Sequence, residues 1–395
     1  MKRFFSYSIL SFFLLLLPTG QASANNNDSI RLSLLTCAPG EEIYSLFGHT
    51  AIRYENSSQG IDVVFNYGLF SFNTPNFIFR FSLGETDYQL GATDYERFAA
   101  EYAFFGRSVW QQTLNLNNEE KAELIRLLQE NYRPENRVYR YNFFYDNCAT
   151  RPRDKIEESI AGKVIYPAEP QDGSLTFRDI VHQYCKGHPW ARFGIDLCIG
   201  SEADQPITQR QMMFAPFYLM DAFDGAQIKG DSIQRPLITA NELIVDATPE
   251  PDESDWMPTP LQCSLLLFIL TAAATIYGIR RRTGLWGIDL FLFGIAGIVG
   301  CVLAFLALFS QHPAVSSNFL LLVFHPGQLL FLPYIIYCVR KGKKCWYLTL
   351  NLAVLTLFIV LFPVIPQRFD FAVVPLALCL LIRSVSNLIV TSKKK

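Results

Sequence analysis

The 395-residue chain is half hydrophobic, only 18% charged, rich in phenylalanine (33 residues), and has a net charge of −2. That composition excludes a disordered chain, is too apolar for one water-soluble domain, and offers no basic face for nucleic acid. Nine cysteines in a chain this long do not make a disulfide-stapled miniprotein.

The near-neutral total hides an asymmetry. Met257–Lys395 holds 12 Lys and Arg against 2 Asp and Glu, about +10, whereas residues 25–256 come to about −14. Lys2 and Arg3, the apolar run Ile9–Leu17, the breakers Pro18 and Gly20, and Ala22-Ser23-Ala24 predict a signal peptide over 1–24. The acidic half, 25–246, is therefore expected outside the cytoplasm.

Within it, Ile30–Thr36 reads as a strand that ends at Cys37-Ala38-Pro39-Gly40. His49 then lies near the start of a second strand, with His49, Ala51 and Arg53 on one face. Ser57–Gly60 is turn chemistry, and Ile61–Tyr67 returns as the hairpin partner. Glu119–Gln129 has helical spacing, and Val138–Phe144 is an aromatic strand. Arg153–Ile160 reads as a helix with Pro152 in its first turn. The outer domain is thus α+β, with Cys148 at a strand-to-helix junction. Residues 247–260, rich in Pro, Asp and Glu, read as a linker.

Five apolar segments follow, near 261–279, 285–309, 319–339, 346–365 and 371–390, predicting an all-α membrane domain of five transmembrane helices over 261–395. Basic clusters follow the first, third and fifth. This places the multi-pass chain in the inner membrane with its outer domain in the periplasm and its C-terminus in the cytoplasm. Asp289 is expected to pair with Arg280–Arg282, and Arg383 to snorkel. His325-Pro326 should kink the third span.

A cysteine at a helix start meets unpaired N–H groups and the positive end of the dipole, which favour thiolate. Asp146 or Asn147 can cap that helix. His49 can act as base and later as acid, oriented by Asn66 or, second, by Asp62. A histidine strand upstream of an Asn-Cys helix start suggests a permuted papain-like (NlpC-like) thiol enzyme. The four outer cysteines, Cys37, Cys148, Cys185 and Cys198, also permit a disulfide reading, with Cys185 and Cys198 close enough in sequence to pair. His182, His188 and Cys185 lack a fourth partner, so no metal is expected.

Cys37-Ala38-Pro39-Gly40, Phe47–Arg53, Phe65-Asn66-Tyr67-Gly68 and Tyr145–Arg151 are similar to motifs of the Lnb family, as are Phe193–Leu197, Gly200–Asp204 and Ser310-Gln311-His312-Pro313. The resemblance covers nearly the whole mature chain. It implies a cofactor-free lipoprotein N-acyltransferase of a Gram-negative envelope. An acyl chain would pass from a phospholipid through a Cys148 thioester to the α-amino group of a lipoprotein's diacylglyceryl-cysteine. Cys148, His49 and Asn66 are then the expected catalytic set, and Tyr145, Asn147, Arg53 and His312 the expected substrate contacts. Two other classes stay open: a periplasmic cysteine peptidase or amidase acting on peptidoglycan, and a non-catalytic envelope assembly or binding protein.

Overall fold

Alternating burial along the first two strands sets the frame of the outer domain. In β1 (Ile30–Cys37) and β2 (His49–Asn56), Leu32, Leu34 and Ile52 face one way, and Leu35, Cys37 and Ala51 the other; all are buried. Each such Leu or Ile contributes about 1.5–3 kcal/mol on leaving water. β3 (Ile61–Leu69), β4 (Asp87–Asp94), β5 (Val109–Leu114), β6 (Val138–Arg140) and β10 (Ile238–Val245) complete an antiparallel sheet in the order β10-β5-β1-β2-β3-β4-β6. A small second sheet holds β7 (Lys163–Ile165), β8 (Gln227–Lys229) and β9 (Gln234–Pro236). The computed structural model describes residues 29–167, 175–230, 234–247 and 257–392. The expected signal peptide and most of the expected linker lie outside the described residues.

Helices α1 (Phe77–Leu83) and α2 (Tyr95–Phe104) flank β4 in sequence, and α2 covers the sheet face that carries Cys37, Ala51 and Val64. α3 (Asn118–Tyr132) and α4 (Thr150–Ser159) pack on the opposite face. α5 (Phe177–Tyr184), α6 (Pro189–Cys198), α7 (Gln209–Met212) and α8 (Pro216–Asp224) follow. The aromatic strand expected over Val138–Phe144 stops at Arg140, because Asn142 and Asp146 bond to each other across a tight loop.

The C-terminal region is helical. α9 (Pro260–Arg281), α10 (Trp286–Phe309) and α14 (Val373–Ser392) are long and apolar enough to cross a membrane. The expected third span is broken. A 3-10 turn at Phe319–Leu322 and α11 (Gly327–Leu330) meet α12 (Leu332–Lys341) at 73°. The breaks fall at Pro326 and beside Pro333, where a helix loses backbone donors. If that bent pair is one crossing, the long spans among the described residues number four. α13 (Trp346–Leu361) ends short of the expected Ile365, as a helix tends to do just before a proline, here Pro363.

Asp289 does not pair with Arg280–Arg282. It forms a two-pronged ion pair with Arg383 at 2.6 and 3.0 Å, and both side chains are 2% exposed. Arg383 also donates to Thr275 Oγ1, so it ties α14 to α10 and α9 instead of snorkelling. An inward-facing carboxylate among apolar helices needs a partner at its own depth.

Polar bonds dock the two halves. Arg178, fully buried, holds Asp196 at 2.6 Å and Asp204 at 2.9 Å. Arg368, from the loop before α14, reaches the same Asp204 at 2.9 Å and Asp179 at 2.5 Å. Asn318 donates to the Leu197 carbonyl, and Gly200 N–H to that of Ala314.

Breaking a buried pair strands the surviving charge. Asp289→Leu should therefore cost about 3–5 kcal/mol, while Asp289→Leu combined with Arg383→Met should recover most of it. Thermal unfolding of the full chain in detergent checks this; equal losses in both variants would contradict it.

Candidate active site

β1 and β2 pair in register so that Cys37 lies opposite His49. Gly48 makes the turn into β2 possible: its φ is +77°, and a Cβ there would sit 2.5 Å from the Cys37 carbonyl oxygen. β2 pairs with β3 as far as Ala51–Asn66, which puts Asn66 and His49 on the same face. Beyond that pair Gly68, at φ +94°, turns β3 aside, and its missing side chain leaves room for Cys148, whose Cβ would be 3.6 Å from one there.

His49 Nε2 lies 3.2 Å from Asn66 Oδ1. An amide oxygen only accepts, so Nε2 carries the proton and Nδ1 is the free base. Of the two expected orienting partners the structure joins Asn66 to His49. Asp62 is engaged elsewhere, in a two-pronged pair with Arg53 at 2.8 and 2.6 Å.

Cys148 stands two residues before α4. The backbone N–H groups of Thr50, the residue after His49, and of Cys148 itself lie close enough to the thiol to favour its ionised form. Asn147 holds this loop. Its Oδ1 accepts from the N–H groups of Ala149 (2.8 Å) and Thr150 (3.0 Å), and its Nδ2 donates to the Phe143 and Phe214 carbonyls. Asn147 is 3% exposed with its amide fully used, so it positions the thiol loop and has nothing left for a substrate.

Arg53 and His312, the other expected substrate contacts, are engaged within the protein. The Arg53 guanidinium is buried on Asp62, Gln111 and the Tyr95 ring. His312 Nε2 donates to the Phe81 carbonyl at 2.5 Å, and its ring packs on Phe81, so it holds α1 against the membrane domain. Tyr145 is half exposed on the thiol loop, edge-on to Phe177.

All nine cysteines are free, so Cys185 and Cys198 do not pair. Burial pushes the Cys37 thiol up to about 12, and it is held by a hydrogen bond with Tyr102. His182 bonds to the Asp196 carboxylate at 2.9 Å.

Burial also pushes the Cys148 thiol up to about 11, against the two backbone N–H groups. It pulls His49 down to about 4, with the Asn66 bond opposing and Arg107 adding to the fall. The expected partly ionised thiol is therefore corrected. Asn147 takes the N–H groups of α4 that would have stabilised a thiolate, and burial leaves both the Cys148 thiol and the His49 ring neutral at rest. Arg107 is the residue sequence reading missed: it reaches the site from the loop before β5, where it donates to the Ala38 carbonyl, and no local motif marks it. Thr50 lies next to His49 in sequence, but its part is a backbone N–H, which residue type does not reveal.

Residues 20–182 match the Lnb N-terminal periplasmic domain, and residues 252–395 match the Lnb transmembrane domain. The chain belongs to the Lnb family. No curated protein and no solved structure matches it. As an Lnb protein it sits in the inner membrane with a periplasmic N-terminal domain, and its family points to an envelope enzyme that modifies lipoproteins.

A neutral resting thiol has a testable signature. Alkylation of Cys148 by iodoacetamide in the full-length protein should keep accelerating with pH through about 9, because thiolate is the reactive form. A plateau reached by neutral pH would show an ionised resting thiol and contradict this assignment.

Proposed function

We propose that this Lnb protein is a lipoprotein N-acyltransferase working through a Cys148 thioester. The observation that supports the proposal is the approach of the Thr50 backbone N–H, one residue after the Asn66-bonded His49, to the Cys148 thiol. A histidine strand that precedes an Asn-Cys helix start fits a permuted papain-like arrangement.

His49 Nδ1 takes the thiol proton as sulfur attacks the ester carbonyl of a phospholipid. The carbonyl C–O bond breaks, His49 returns the proton to the departing oxygen, and lysophospholipid leaves. The α-amine of a diacylglyceryl-cysteine then attacks the thioester. His49 accepts the amine proton, the C–S bond breaks, and the proton returns to sulfur. With its ring pulled down to about 4, His49 rests unprotonated. The N–H groups of Ala149 and Thr150 are already used by Asn147, so the Cys148 N–H is the nearest donor for the developing oxyanion. The half-exposed Tyr145 ring is the remaining candidate substrate contact on the thiol loop.

The same reading takes the bent Phe319–Lys341 pair and the shorter Trp346–Leu361 helix as crossings. Five spans then place Arg280–Arg282, Arg340–Lys344 and Lys393–Lys395 on the cytoplasmic side with the C-terminus.

Mass spectrometry of lipoprotein N-termini, from cells with and without the protein, tests the proposal. The wild type should add a third acyl chain. Cys148→Ala and His49→Ala should each abolish it, the double variant being no worse. Asn66→Ala should slow transfer about 10²-fold, the cost of a base held about 1 Å out of place. A third chain in cells whose protein carries Cys148→Ala would refute the mechanism.

A further inference from the structure

Between β3 and β4 the chain runs through Phe70, Phe72, Phe77, Ile78, Phe79 and Phe81, and this segment buries little of that apolar surface. Ile78 is 80% exposed, Phe72 64% and Phe79 58%, and α1 has no buried residue. In water each such side chain forgoes about 1.5–3 kcal/mol of burial, so the face calls for an apolar neighbour.

Two observations say what that neighbour is. The first is depth. Phe79 packs on Phe305 of α10 at 5.9 Å, Gln311 N–H bonds to the Leu83 carbonyl at 2.8 Å, and His312 holds Phe81. Near this end of α10, Leu308 and Phe309 are themselves 75% and 64% exposed on a membrane-crossing helix. α1 therefore sits at the level where the outer leaflet's hydrocarbon begins. The second is continuity with the thiol. Stacked rings run from Phe81 to Phe77 (6.1 Å), Phe70 (5.7 Å), Tyr88 (4.8 Å) and Tyr141 (4.1 Å). Gly68, the residue just before this segment, lies against the thiol, where a Cβ would stand 3.6 Å from Cys148 Cβ. The one cation on α1, Arg80, is tied to Asp87 at 2.8 Å, so the ladder presents hydrocarbon with no charge to a ligand.

We propose that the segment from Leu69 to Leu83 is the path along which the acyl chain of a membrane lipid passes from the outer leaflet to Cys148. This rests on the acyl transfer proposed above. It adds where the chain lies: over the exposed rings of Phe72, Phe79 and Phe81, with the ester end toward Gly68 and the thiol and the methyl end toward α10.

The test uses the full-length protein in vesicles of phosphatidylethanolamine and phosphatidylglycerol carrying a photoreactive diazirine in one acyl chain. Irradiation should label the peptide containing residues 69–83. Phe72→Ser combined with Phe81→Ser should lower that labelling, and the preference for long-chain over short-chain acyl donors should fall about tenfold or more. Labelling confined to α9, α10 and α14 would overturn the path. So would an equal loss of transfer from long and short donors, which would mean that the segment only shapes the thiol loop. Labelling of residues 69–83 by a wild-type protein that acylates no amine would uphold the path and refute the acyltransferase reading instead, so the two failures are distinguishable.

Discussion

One buried amide holds the reactive loop. The four hydrogen bonds of Asn147 fix Cys148 between the start of α4 and the loop at Phe214, at the point where the β2–β3 ladder opens. Each bond is worth only about 1 kcal/mol net, but leaving the buried groups unpaired costs more. The cap also decides the chemistry. By taking the first N–H groups of α4 it denies them to the sulfur, and burial then keeps the thiol protonated at rest. A resting thiol of this kind resists stray oxidation and alkylation in an oxidising compartment.

The second constraint is the seam between the halves. Arg178 and Arg368 share Asp204, so one carboxylate is bound by a buried arginine of the outer domain and by an arginine from a membrane-domain loop. Charges satisfied from both sides leave little freedom for the outer domain to rock. The ion pair of Asp289 with Arg383 performs the same service inside the helices.

The hairpin around His49, the turn at Ser57–Gly60, the helix over Glu119–Gln129 and the nearness of Asn66 to His49 were legible because their patterns are local. Period-two burial, turn residues and cross-strand placement all act within about twenty residues. What escaped depends on distant partners. Arg53 and Asn147 look like available polar groups in sequence, and only the fold shows Asp62 and the Phe214 carbonyl consuming them. Asp289 lay nearer in sequence to Arg280–Arg282 than to Arg383, but depth within the helices, not sequence distance, chose its partner. The thiol's acidity was misjudged for a related reason. The motif places Cys148 at a helix start, but not the side chain that claims the helix's donors.

The central claim is that Cys148 carries the acyl chain. Purified full-length protein incubated with acyl-labelled phospholipid and no acceptor, then measured by intact and peptide mass spectrometry, tests it most directly. The account predicts one acyl adduct on Cys148, absent from His49→Ala and released by neutral hydroxylamine. Acylation of an added lipoprotein peptide with no adduct on Cys148, or with the adduct on another residue, would contradict it.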